Sequence, residues 1–533
     1  MGLRTFALLA LAALTLSACT SGEARQTCPA GKRCLLVGNG QDPTTLDPNK
    51  STGTWEDRII SDLNMGLVQD DAAGNPIPGL ATSWETSPDG LTWNFHLRHD
   101  AKWSDGVPIT AEDFVFSMRR IMDPATASEY AYLISFIKGA QPVMAGQARP
   151  ETLGVRAVDP YTLEIRLEHP APFLLELAKH TTMMPLPRHV VARWGAAWVQ
   201  PGHYVSSGPY QLVDWRLGNY IRVAKNPYFF DAAKVCFDQI DYFPTIDSVA
   251  AERRVLSGEL DGNTDISSSR MARLRQQAPE FVHTHTYLGT SYLVFNSHIP
   301  ALRDPRVRRA IAMSIDREFI ANRLMVDGKV PAYTFVPPGI ANYTPPAPPV
   351  WSTWPFEQRL AEARRLMAAA GYSREHPLVL DVFHASNPDT ALVMQAMQAD
   401  WAQAYIKVNL NQRDAALNYQ ALRARDFQLA SGGWIADFND AINFLDLQRS
   451  TTHDMNYGDY NNPVFDALLA KADNEPDLAR RAAYLRQAEA IMLADTPITP
   501  LYYNVNKNLV SPRITGFVDN IADHHRSRYL CQK

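Results

Sequence analysis

Along the chain, hydrophobic positions recur with two different periods, and the change between them outlines the fold. "LTWNFHLR" (91–98) and "YTLEIRL" (161–167) alternate at every second residue, the pattern of strands with one face buried. "CLLVGNG" (34–40) predicts an earlier, more buried strand. Between these, Thr110 stands just ahead of "AEDFVFSMRRIM" as a helix N-cap, with Asp113 close to the positive end of the helix dipole. In the second half "EQRLAEARRLMAAAG" (357–371) puts Leu360, Ala363, Leu366, Met367 and Ala370 on one helical face and stops at Gly371. The succession "LVLDVF" (378–383), "TALVMQAMQADWAQA" (390–404) and "IKVNL" (406–410) reads strand, helix, strand. That order predicts a βαβ unit in a mixed or parallel sheet covered by helices. A further helix, "LARRAAYLRQAEAIML" (478–493), leads into "TPITPLYYNVNKNLV" (496–510), whose prolines fit an edge or crossing strand better than a central one. The proline-rich stretch 331–355 predicts extended backbone laid over a surface. No internal repeat or low-complexity tract interrupts this order.

One strand-like stretch breaks the pattern. "SGGWIADFND" (431–440) sets Asp437 among Trp434, Ile435, Ala436 and Phe438. Burying an unpaired carboxylate is costly, so Asp437 must reach water, a metal, a basic side chain or a cationic ligand that comes and goes.

Length and composition narrow the class. At 533 residues the chain exceeds one ordinary core, so two or three lobes are expected. With 46% hydrophobic and 20% charged residues and a formal net charge of -5, it has the make-up of a soluble globular protein and nothing that suggests a nucleic-acid partner. At the N-terminus Arg4 precedes "FALLALAALTL", too short to span a bilayer, and then "LSAC". This reads as an export signal over residues 1–18. Leu16-Ser17-Ala18-Cys19 resembles a bacterial lipobox, with Cys19 lipidated as the first mature residue and residues 19–34 a polar tether. By the same resemblance, Thr20 favours outer-membrane sorting if the source is Gram-negative. Lipid would then be the chain's only membrane attachment, because no other run of about 20 apolar residues occurs.

Export also bears on the remaining cysteines, an even set of Cys28, Cys34, Cys236 and Cys531 in an oxidising compartment. Three connectivities are possible. Proximity favours Cys28 with Cys34, leaving Cys236 with Cys531; reduced thiols are the alternative, and the spacings match no common zinc pattern.

Catalytic signatures are missing. The chain has no H-E-x-x-H, G-x-S-x-G or Walker A motif, and Pro43 spoils the dinucleotide-like start Gly38-Asn39-Gly40. His283 and His285 in "HTHT" share one side of a strand and could hold a metal, though such a pair is more often a solvated face. Dispersed Asp and Glu pairs, which any chain of this length offers, leave a secreted hydrolase as a minor alternative. The reading is therefore of a protein that is not an enzyme, with no cofactor and no metal.

A longer motif is more specific. "SWETSPDGLTWNFHLRHDAKWSDGVPITAEDFVFSMRRIMDP" (83–124), followed in order by "SSGPYQLVDW", "SGELDGNTD", "DPRVRRAIAMSIDREFI", "GGWIADFND" and "PLYYNVN", resembles the extracytoplasmic solute-binding proteins of the peptide/nickel ABC-importer class, most closely the oligopeptide-binding ones. The resemblance runs over roughly 35–530. It implies an α/β, periplasmic-binding-protein-like fold of type II, with three regions forming two lobes around a hinged cleft. Domain I would combine 35–64, 188–288 and 506–533; domain II would be 65–187 and domain III 289–505. Cys236 and Cys531 would then both lie in domain I.

Members of the family capture an extended peptide between the lobes, and the resemblance carries their ligand contacts to this chain. An aspartate in the G-W-x-A-D segment takes the peptide's α-ammonium, which falls on Asp437. Gly433 would offer backbone, Trp434 would flank the first residue and Tyr130 would reach the ligand from domain II, with Thr52, Thr54 and Thr264 as further contacts. Three positions depart: Ser431 replaces an arginine, Asp389 a histidine and Asn504 a tyrosine. The lost basic groups help hold ligand carboxylates, so the family's length preference does not transfer; an aspartate at 389 would repel a carboxylate. A cysteine pair of the relatives is also absent, with Gly289 and Ile435 in its place. The implied protein is a lipid-anchored, monomeric receptor on the outer side of a bacterial membrane, delivering peptides to an ABC permease and ATPase complex. Other cargo (a dipeptide, a cell-wall peptide or a nickel chelate) or a sensor role on the same fold are the alternatives.

Overall fold

The structure is a computed structural model and describes residues 28–452 and 455–533. The export signal and Cys19 lie outside these residues.

Ten strands build the main sheet: β1 (Cys34–Gly38), β2 (Tyr210–Arg216), β3 (Tyr220–Lys225), β4 (Gln239–Phe243), β5 (Gly262–Asn263), β6 (Val282–Phe295), β7 (Leu378–Ala385), β8 (Ile406–Arg413), β9 (Leu429–Ile435) and β10 (Ile498–Val510). Their order is β8-β7-β9-β6-β10-β5-β1-β4-β3-β2, with the two-residue strand Val330–Pro331 added beside β10. β7 runs parallel to both β8 and β9, and β1 parallel to both β4 and β5, while β6 is antiparallel to β9 and β10. The βαβ unit predicted at 378–410 is thus present, its helix spanning Pro388–Ala402 and capped by Asn387, whose Oδ1 accepts the Thr390 N–H at 3.1 Å. Val382, Met394, Met397 and Trp401 pack there with Leu360, Ala363 and Met367 of the Phe356–Ala369 helix. Gly371 ends that helical segment at φ +94°, a conformation that costs glycine little.

A second, four-stranded antiparallel sheet lies within the expected second domain, in the order Ala81–Thr86, Thr92–Leu97, Thr162–Arg166, Val155–Asp159. Both alternating stretches are strands in it. The Ala111–Met122 helix begins after Thr110, whose N–H donates to Asp113 Oδ2 at 2.8 Å.

The proline-bearing segment corrects one expectation. β10 is not an edge strand: β6 pairs along one side of it, and β5 and Val330–Pro331 take places on the other. Pro500 is tolerated because the register with β6 slips between Ser291 and Tyr292. Its carbonyl accepts the Nε–H of the buried Arg317 at 2.9 Å. The crossing half of the expectation fits better, since β6 and β10 both run through the expected boundaries at 288/289 and 505/506. A register shift interrupts their pairing between Thr286 and Thr290.

Both expected disulfides are formed, with Cα–Cα separations of 5.7 Å for Cys28–Cys34 and 5.3 Å for Cys236–Cys531. His283 and His285 build no metal centre. His283 Nδ1 lies 3.4 Å from Asp519 Oδ1, His285 Nδ1 is 2.9 Å from the Thr286 carbonyl, and no cluster of three metal-ligating side chains occurs among the described residues.

Candidate ligand-binding cleft

Asp437 follows the end of β9, where the chain turns into the short Ile442–Leu445 helix. The turn is tied by Asn443, whose Oδ1 accepts both the Asp437 backbone N–H at 3.1 Å and the Trp434 indole N–H at 2.8 Å. These bonds fix the backbone and do not reach Oδ2 of the carboxylate. Asp437 Oδ2 is buried and has no hydrogen-bond partner among the described residues. Burial pushes the carboxyl up to about 6, against the pull of Asn443, Tyr130 and Tyr132. An unsatisfied buried acceptor costs about 1–3 kcal/mol, more when charged, so the site favours a cation or a proton.

Tyr130 caps the short helix Ala131–Ile134 and Tyr132 lies within it, in the segment that also carries the four-stranded sheet. Their rings meet edge to face at 6.0 Å. The Tyr130 hydroxyl donates to the Thr52 carbonyl at 3.4 Å, while the Tyr132 hydroxyl is buried without a partner. Burial and the nearby Asp437 charge raise both phenols, keeping them protonated, so that each can donate to an anion or accept from an ammonium through its oxygen.

Gly433 leaves space beside β9, four residues before Asp437. In β9 it pairs with Ser291 of β6, and a Cβ placed on it would meet nothing within 4 Å. At Gly432, on the opposite face, a Cβ would come within 3.0 Å of the Tyr292 ring. β9 therefore shows one packed face and one open one. Trp434, paired with Thr290, buttresses the open end through Asn443.

The remaining expected residues divide into near and far groups. Thr52 joins the tyrosines through its carbonyl, and its N–H is held by Glu56 Oε2 at 3.0 Å. Thr54 is exposed at the start of the Thr54–Leu63 helix. Ser431 is half-buried in β9 opposite Leu293. Gly289 and Ile435 face each other directly across β6 and β9, and Asn504, which accepts the Ser291 hydroxyl at 2.9 Å, stands beside both.

Asp389 belongs elsewhere. Its Oδ2 accepts the Ser268 hydroxyl at 2.5 Å and lies 3.8 Å from Lys507 Nζ, which reaches Asp327 at 3.8 Å and Asp265 at 3.7 Å. Thr264, half-buried after β5, is next to that cluster in sequence. The aspartate expected to repel a carboxylate is thus answered from within the chain.

Two contributors escaped the sequence reading. Tyr132 carried a faint signal, standing two residues beyond Tyr130 in the same "SEYAY". Asn443 carried none, because its role depends on a turn that returns it to Trp434 and Asp437.

Comparison with known proteins now bears on this geometry. A profile of "Bacterial extracellular solute-binding proteins, family 5 Middle" matches residues 75–456. The periplasmic oligopeptide-binding protein OppA of Escherichia coli (strain K12) is 35% identical over 495 residues, 92% of this chain and 90% of its own length. The structure of the Escherichia coli murein tripeptide binding protein MppA superposes with a TM-score of 0.86 at 32% identity, covering 94% of this chain and 99% of that one. MppA in its unliganded open form gives 0.78 at 32% identity, covering 94% and 98%. With a profile match over most of its length and relatives aligned nearly end to end, the chain belongs to the family 5 bacterial extracellular solute-binding proteins and has their periplasmic-binding-protein type II fold.

Proposed function

We propose that this protein is the substrate-binding component of an ABC importer, taking oligopeptides in extended form into the cleft beside β9 and presenting them to a membrane permease. The observation that carries the proposal is the buried, unpartnered Oδ2 of Asp437. Every unmodified peptide brings one α-ammonium, and a charge-assisted bond to it typically contributes about 1.5–3 kcal/mol. Beyond the Phe383–Ala430 pair, the edge of β9 turned away from β6 has no strand partner among the described residues, which suits main-chain pairing that reads no side chain and admits many sequences. The names of the relatives, periplasmic binding proteins for oligopeptides and a murein tripeptide, agree with this cargo class.

Domain I (35–64, 188–288, 506–533) and domain II (65–187) would form one lobe and domain III (289–505) the other. The break in β6–β10 pairing between Thr286 and Thr290 is the candidate hinge. A ring stack at 4.7 Å between Phe173 and Phe438, and a TM-score with MppA that is higher than with its open form, support reading the present state as closed. Lipidation at Cys19 would hold the receptor on the outer side of the membrane, within reach of the permease.

Calorimetry with a peptide mixture on wild type and Asp437→Ala tests the central assignment. Free peptides should bind the wild type and lose roughly 10- to 100-fold in the variant. Undiminished binding by the variant, or equal binding of N-acetylated peptides by the wild type, would overturn it.

A further inference from the structure

Far from Asp437, two cations converge on one end of the Cys236–Cys531 disulfide. Arg33 donates a guanidinium N–H to Cys236 Sγ at 3.2 Å, and Lys225 Nζ donates to the carbonyl of the preceding Val235 at 2.8 Å. The acid nearest in sequence, Asp238, is engaged by the Arg33 backbone N–H, which reaches its Oδ2 at 2.8 Å. At the other end, no cation is hydrogen-bonded to Cys531 Sγ among the described residues; the Cys531 carbonyl accepts the Thr515 hydroxyl at 3.1 Å. We infer that Cys236–Cys531 is an exchangeable disulfide, opened by a dithiol that attacks Cys531 while Arg33 holds Cys236 as the leaving thiolate. The inference does not depend on Asp437 or on what the cleft binds.

The charge asymmetry sets the direction. A thiol leaves a disulfide faster the lower its pKa, and a neighbouring Arg or Lys lowers it. Both cysteines are half-buried, so access does not choose between the two sulfurs and charge does. The attacking thiolate forms a bond to Cys531 Sγ as the bond between the two cysteines breaks, and the electron pair goes to Cys236 Sγ beside Arg33. The reductant's second thiol then attacks the mixed disulfide, closes the reductant's own disulfide and releases Cys531. Two electrons pass to the receptor. Cys531 takes up a proton, and Cys236 stays a thiolate with its proton left in solvent. The partner chemistry is that of a dithiol oxidoreductase, because a single monothiol stops at the mixed disulfide. The second disulfide lacks this device, since Cys28 Sγ lies 3.1 Å from the Lys32 carbonyl oxygen, which disfavours a thiolate there.

The surrounding fold keeps the open pair within reach. Beyond Cys531, the Lys533 N–H is bonded to the Arg513 carbonyl at 2.9 Å, and before it Arg526 lies 3.0 Å from the buried Asp70 and 3.2 Å from Asp57. Cys236 leads into β4, which is paired with both β1 and β3. Opening the bond therefore leaves both ends seated, and oxidation closes it again.

The test is reduction of the full receptor by dithiothreitol, quenched by alkylation and read bond by bond through peptide mass spectrometry. Arg33→Gln should slow the opening of Cys236–Cys531 by about three- to tenfold and Arg33→Lys by less than about twofold, with Cys28–Cys34 within about twofold of wild type in both. A brief pulse of glutathione, quenched with acid, should leave its adduct on Cys531. An adduct on Cys236, equal slowing of both disulfides, or an Arg33→Gln rate equal to or above wild type would each overturn the inference. A faster rate is what a purely structural Arg33 predicts, because loosening its surroundings exposes the bond.

Discussion

Asp437 and Asp389 are both drawn out of bulk solvent in a binding-protein fold, yet they are solved oppositely. Asp389 is met by the chain itself, through the Ser268 hydroxyl at 2.5 Å and Lys507 at 3.8 Å. Asp437 has its backbone fastened and its Oδ2 left bare. A carboxylate with resident partners belongs to the architecture; one without them costs stability until something arrives. The difference separates a structural charge from a receptive one in a way that residue type alone cannot.

The largest effect should come from exchanging the two sites' fates. Asp437→Asn should lower affinity for free peptides roughly 10- to 100-fold in calorimetry while leaving the ligand-free melting temperature unchanged or higher, since it removes an unpaired buried charge. Asp389→Asn should do the reverse, melting lower by about 1 kcal/mol of stability with affinity nearly unchanged. Matching behaviour of the two variants would erase the distinction.

Acidity sharpens the same contrast. If Asp437 anchors the ammonium as proposed, it must be ionised to do so, so affinity should fall as pH drops through about 6, and Asp437→Asn should flatten that dependence. The stability of the ligand-free protein carries the opposite sign. A carboxyl raised from 3.8 to about 6 binds its proton more tightly when folded, so stability declines as pH rises through that interval. Melting curves of wild type and Asp437→Asn, compared at each pH, isolate this group from Glu489, which burial raises to about 7.

Gly433→Ala should have a smaller effect. Its Cβ meets nothing in the ligand-free chain, so stability should stay within about 0.5 kcal/mol, while a peptide backbone on that face should bind several-fold more weakly. Unchanged affinity would move the ligand off β9. Smallest of all, Tyr132→Phe keeps the ring and removes only the buried hydroxyl, for an expected loss of about twofold in affinity.

Much of the architecture could be read from periodicity because the elements are locally determined. The 111–122 helix has its cap and acidic first turn in sequence, and the 378–410 unit alternates period two with period 3.6. β10 misled because a proline rule written for regular ladders does not foresee a register slip at Pro500 and an arginine on its carbonyl. At the site, Asp437 stood out as a charge in an apolar run. Asn443 and the Phe173–Phe438 contact were illegible, since each depends on chain segments brought together only by folding. Asp389 was visible as a residue but not as a charge already partnered by Ser268 and Lys507.

The Cys236–Cys531 bond, whose ends are 295 positions apart in sequence, has a consequence of another kind. It turns everything from 237 to 530 into a covalent ring that contains the whole proposed third domain. A protease cutting once anywhere in that ring opens it without releasing a fragment, so a nicked receptor would still run as one species on a non-reducing gel. Exposed loops can thus be severed while both lobes stay attached to the same molecule.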